Sequence, residues 1–170
     1  RGAATRARDA VGWTPLFNAA WAGSVECTQL LLRHAADADA DGAAAAANAT
    51  DRWGKGPLCW ACATAGGDAQ LSVVRLLLGA RALADGGPRP AAARLERWGG
   101  WSTPLHVALR EGGEKSVAIA RLLIGARADV NRRDMEQRAP LQAAEEAGGS
   151  ACALLIASGA RAAAPVSAMC

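Results

Sequence analysis

Apolar residues recur at helical spacing in four stretches of this chain, and each stretch ends on an aliphatic triplet: Leu30-Leu31-Leu32, Leu76-Leu77-Leu78, Leu122-Leu123-Ile124 and Leu154-Leu155-Ile156. Ahead of the first triplet, Val25, Thr28, Leu31 and Leu32 fall on one helical face. Each triplet follows a proline-leucine pair: Thr14-Pro15-Leu16, Gly56-Pro57-Leu58, Thr103-Pro104-Leu105 and Ala139-Pro140-Leu141. A threonine before proline sets a hydroxyl at the N-cap and a residue without an N–H at the first helical position, where no donor is needed. A helix therefore starts at each pair. The first spans Pro15 to Ala22, about two turns, and stops at Gly23. The triplet closes a second helix, so each unit is a helical hairpin. Helices this short are marginal alone in water, and their apolar faces must be buried against the next unit. The pattern predicts an all-α solenoid of stacked helix-turn-helix units with long finger loops.

The third copy reads Thr103-Pro104-Leu105-His106-Val107-Ala108, and in it the chain resembles the ankyrin repeat family, whose signature is Thr-Pro-Leu-His-x-Ala. Other positions agree. Asp9, Asp51 and Asp134 stand six residues before their prolines, Gly23, Gly66, Gly112 and Gly148 close first helices, and Gly125-Ala126-Arg127-Ala128-Asp129-Val130-Asn131 follows the third triplet. The resemblance covers residues 9–161 and implies a backbone hydrogen bond from His106 to the neighbouring finger. The prolines are 42, 47 and 36 residues apart, against a family period of about 33, so residues have been inserted between repeats. The expected organisation is a tail over 1–8, repeat 1 with an Ala/Asp-rich insertion over 9–50, and repeat 2 with a Gly/Pro-rich insertion over 51–96. Repeat 3 follows over 97–132, then a degenerate, capping repeat 4 over 133–162 and a tail over 163–170. The insertions, 35–50 and 81–95, are expected to be extended or mobile excursions; such insertions map to one face of a repeat array, often the binding face.

Composition narrows the class. Alanine supplies 44 residues and Leu, Ile, Val and Phe together only 30, which suits helices packed at short distance. A formal charge of +3 is too small to drive disorder, and no apolar run reaches the roughly 20 residues that cross a bilayer. Arginines near the fingers, among them Arg52, Arg97 and Arg138, are accompanied by Asp51, Glu96, Asp134 and Glu136. The strong basic footprint of a nucleic-acid backbone binder is missing, so that class ranks last. The chain opens on Arg1, which leaves a processed organellar protein and a fragment both open. No polar capping helix precedes the first repeat, so a neighbour is expected to cover that end.

Candidate chemistry is thin. Cys59-Trp60-Ala61-Cys62 lies inside a predicted helix with no second pair, so buried thiols packing as small hydrophobes are expected in place of a metal or redox site. Five cysteines without framework spacing point to a reducing compartment, the cytoplasm ahead of an organelle. His34 is expected at a helix end, and adjacent Glu145 and Glu146 point different ways around their helix and cannot act as an acid/base pair. No phosphate-binding or nucleophile motif is present; no cofactor and no catalysis are expected. A repeat array of this type binds protein partners through its concave finger and helix surface. The candidate contacts are Trp13, Trp21, Arg52, Trp53, Arg97, Trp98, Trp101, Arg110 and Arg138, since Trp and Arg are favoured anchors; for Trp60, packing within its own unit is preferred. The alternative role is a permanent subunit of a large assembly, such as an organellar photosynthetic complex.

Overall fold

The computed structural model describes residues 5–64, 67–86 and 102–161. Among these are nine helices and no strand: α1 (Pro15–Ala22), α2 (Val25–Ala38), α3 (Gly42–Ala47), α4 (Pro57–Cys62), α5 (Asp68–Gly79), α6 (Pro104–Leu109), α7 (Gly113–Gly125), α8 (Pro140–Glu146) and α9 (Cys152–Ala157). Each of the four prolines is the first helical residue. The first helices α1, α4, α6 and α8 pack in one row, α2, α5 and α7 in a second, and α9 closes against α8. Between the rows lies one continuous core. The leucines after the four prolines, Leu16, Leu58, Leu105 and Leu141, are all buried there, as are the triplet residues Leu32, Leu77, Leu123 and Leu155.

Two turns recur. In each described finger an aspartate carboxylate accepts two backbone N–H groups: Asp9 from Val11 and Trp13 at 2.9 and 2.8 Å, Asp51 from Trp53 and Lys55 at 2.9 Å, and Asp134 from Glu136 and Arg138 at 2.9 Å. This is the Asx-type closure that makes aspartate a turn former. It explains the placement of these residues six positions before proline. After the second helices, Arg81, Arg127 and Gly159 adopt left-handed backbone, with φ of 62°, 67° and 89°. Their neighbours close the helix ends: Ala82 N donates to Leu77 O, Ala128 N to Leu123 O and Ala160 N to Leu155 O, the six-to-one bond of a Schellman ending.

The first insertion differs from its expected extended form. Helix α2 continues a turn past its triplet to Ala38, which leaves His34 exposed inside the helix, away from its end. Residues 42–47 then form α3, packed on α2. The reason is local: alanine has the highest helix propensity, and no residue after the first triplet takes the left-handed turn that stops α5, α7 and α9. Gly42 permits the close approach, since a Cβ there would lie 1.9 Å from Ala35 O. Asn48 brings the chain back into register. Its amide donates to Arg81 O at 2.8 Å and accepts from Leu83 N at 2.8 Å, as Asn131 does with Gly159 O and Arg161 N. Of the second insertion, 81–86 form the turn after α5, and 87–95 lie outside the described residues.

Helix starts also depart in detail from the capping pattern. Thr103 accepts from His106 N at 3.4 Å, but Thr14 makes no side-chain cap bond; there Phe17 N donates to the Thr14 backbone carbonyl at 2.9 Å instead. Ala139 has no cap side chain, and Gln142 reaches back to accept from Ala139 N at 2.9 Å, half of a capping box.

Candidate partner-binding surface

At the finger end of repeats 1 and 2 the sequence puts an indole before the helix, Trp13 or Trp53, and another within it, Trp21 or Trp60. Stacking the repeats brings all four together. Trp60 is buried at the centre, with ring centroids 5.0 Å from Trp13, 5.5 Å from Trp21 and 6.1 Å from Trp53, all edge-on. Edge-to-face contact is the favoured aromatic geometry. Phe17 stacks on Trp13 at 5.9 Å. The indole N–H groups converge on one buried carboxylate: Asp51 accepts from Trp60 at 2.8 Å and Trp13 at 3.4 Å, on the oxygen its own finger does not use. Asp51 therefore closes a turn and orients two rings. Trp60 follows the expected internal packing, whereas Trp21 is 41% exposed and presents ring surface outward.

Cations border these rings. The Arg52 guanidinium lies 4.5 Å from the Trp53 centroid and the Lys55 ammonium 5.3 Å from that of Trp60, within cation–π range. Burial lowers the Lys55 pKa from its ordinary amine value, against the opposing pull of Cys59 and the Asp51 carboxylate. A second patch lies between α6 and α8. There a 230 Å³ pocket is lined by His106, Arg110, Asp134, Arg138 and Glu146. Arg138 is held by Asp134 at 3.0 Å, Glu136 at 3.1 Å and Glu146 at 3.5 Å, while Arg110 is exposed and makes no ion pair among the described residues.

His106 makes the finger bond that the resemblance implied. A carbonyl only accepts, so Nε2 donates to Arg138 O at 2.9 Å, which leaves neutral Nδ1 to accept from the Thr103 hydroxyl at 2.8 Å. Burial lowers its pKa below the usual imidazole value. The two thiols of α4 are likewise internal. Burial pushes Cys59 up to about 12 and Cys62 upward as well, so neither is a thiolate near neutrality. Among the described residues no three of His, Cys, Asp and Glu converge as a metal site, and no helix is long and apolar enough to cross a membrane.

The predicted contacts therefore fall in two groups. Trp13, Trp21, Arg52 and Trp53 come together, and Arg110 and Arg138 share the neighbouring pocket. Arg97, Trp98 and Trp101 lie outside the described residues. Sequence reasoning missed Lys55 and Glu146 as members of this surface. It also missed Gln70, whose buried amide ties α1 to α4 through Ala20 O at 2.9 Å and Ala61 O at 2.6 Å. A lone glutamine in a first turn carries no signal of that bridge.

A family model described as ankyrin repeats in three copies matches residues 1–86, and one for a single ankyrin repeat matches 101–135. No curated protein matches the chain. Four proline-initiated hairpins in two helical rows, aspartate-closed fingers and the matched models together show that the chain belongs to the ankyrin repeat family, whose members are generally protein-protein interaction modules and typically non-catalytic.

Proposed function

We propose that this chain is an adaptor that grips a folded protein or extended peptide across its fingers and first-helix row, with Trp21 and Arg110 as principal anchors. The observation that carries this reading is an exposed indole on repeat 1, braced edge-on by Trp60 of repeat 2, together with the exposed Arg110 guanidinium of repeat 3 on the same first-helix row. A braced aromatic loses little side-chain entropy on binding, which is why such residues serve as hot spots. Trp13 packs beside Trp21, Arg52 and Trp53 lie in the same cluster, Arg138 lines the pocket with Arg110, and Arg97, Trp98 and Trp101 belong to the same set by their sequence positions. Free thiols on α4 agree with a reducing compartment.

Capture of partners from native extract by crosslinking mass spectrometry, repeated with Trp21→Ala and Arg110→Ala, tests the proposal. Each change should weaken the captured complex by about 2 kcal/mol at unchanged circular dichroism. Full retention by both variants would reject it. Dependence on salt separates a protein surface, with a shallow slope, from nucleic acid, with a steep one.

A second reading, a subunit built permanently into a larger assembly, is favoured by one observation. Leu30 on α2 and Ile156 on α9 are 62% and 60% exposed, so the first and last repeats each present a large aliphatic side chain. A built-in subunit expressed alone should self-associate in size-exclusion chromatography, and Leu30→Glu with Ile156→Glu should restore a monomer; a wild-type monomer leaves the adaptor reading standing.

A further inference from the structure

The second-helix row carries a groove that the finger face does not use. One wall is a stripe of α2, with Val25, Leu32 and Ala36 around Arg33; the other is a stripe of α5, with Leu76, Gly79 and Ala80 around Arg75. Residues along each stripe are separated by helical steps, so each wall is one face of its helix. The groove encloses 870 Å³, within the range of about 300–1,000 Å³ typical of ligand sites. Its length from Val25 to Ala36 is about 16 Å at helical rise, room for roughly three turns of an added helix. The floor is apolar, the only charged residues on its walls are Arg33 and Arg75, and no carboxylate lines it. Neither guanidinium has an ion pair or hydrogen bond among the described residues.

An apolar trough flanked by two unpaired guanidinium groups complements an amphipathic segment whose apolar stripe is edged with carboxylates. This chain does not supply one from its remaining residues, because the stretches outside those described contain a single acid, Glu96, among arginines. We propose that the α2–α5 groove docks an acidic amphipathic helix of a partner protein, with aliphatic side chains on the floor and carboxylates paired to Arg33 and Arg75, in the manner of helix-in-groove recognition. The site is separate from the tryptophan face and stands or falls independently of it.

The probe is a fluorescein-labelled synthetic helix of three to four turns, with leucines at i, i+3, i+4 and i+7 and glutamates on both flanks, set against a twin with lysines for glutamates. Fluorescence anisotropy with the full chain should show the glutamate helix binding about tenfold or more tighter than its twin. Arg33→Glu with Arg75→Glu should reverse that preference, while Trp21→Ala should leave it unchanged. A second variant blocks the groove without touching charge: no atom lies within 4 Å of a Cβ placed on Gly79, so Gly79→Leu fits without strain, fills the floor and should abolish binding at an unchanged melting temperature. Equal affinity for the twins, binding that survives Gly79→Leu, no binding of the glutamate helix, or preference for phosphatidylserine vesicles over it would each overturn the proposal.

Discussion

At the scale of single residues, the repeats share backbone conformations that different side chains must adopt. The finger turns place Gly12, Gly54 and Gln137 at equivalent left-handed positions, with φ of 86°, 77° and 61°, and the helix endings do the same with Arg81, Arg127 and Gly159. A side chain with a Cβ is strained there, which glycine relieves. Gln137→Gly and Arg127→Gly should therefore each stabilise the fold by about 1 kcal/mol, read as a raised midpoint in urea unfolding at constant slope. The opposite is expected of Gly42→Ala. Its new methyl meets the Ala35 carbonyl, a backbone atom that cannot rotate away, and the loss should be about 1–3 kcal/mol; a neutral effect would mean that α3 does not sit on α2 as described. None of these differences is written in hydrophobic pattern, because glutamine, arginine and alanine give no local sign that a backbone dihedral will be positive or a carbonyl close.

Between elements, the bonds that hold first helices to neighbouring fingers and second helices depend on a few buried polar groups. His106 is the clearest case, since its neutral form satisfies both Thr103 and the Arg138 carbonyl. Its folded-state pKa is depressed by burial, so the folded protein binds fewer protons than the unfolded chain. Stability from this group is complete above the unfolded value of about 6.5 and is lost as pH falls below it, with a slope of at most about 1.4 kcal/mol per pH unit. Urea unfolding across pH 7 to 5 should show this fall, and His106→Asn should flatten it. Gln70→Leu removes the amide bridging Ala20 O and Ala61 O and should cost about 1–3 kcal/mol. The histidine bond was legible from the resemblance; the glutamine bridge was not, because it exists only where two helix ends converge.

For the whole molecule, stacking decides what the surface offers. Helix α4 is covered by α1 on one side and α6 on the other, so Cys59 and Cys62 are sealed while Cys27 on α2 is exposed. Iodoacetamide should modify Cys27 in the native state and reach Cys59 and Cys62 only at the rate of global unfolding; rapid labelling of both would show that repeats open singly. Stacking also converts tryptophans of two fingers into one cluster around Asp51 and leaves Trp21 as its outward member. It creates the α2–α5 groove too, which belongs to no single repeat.

By itself the sequence determined the unit: proline marks each first helix, the triplet each second, and aspartate each described finger, because all three act within a few residues of chain. It also determined that the units must stack, since such short apolar hairpins have nowhere else to bury their faces. Tertiary structure alone decided which polar groups meet across repeats, how a polyalanine insertion folds back on α2, and which aromatic and basic groups remain outside. Those outcomes depend on distances between residues far apart along the chain, where local propensity and periodicity carry no information.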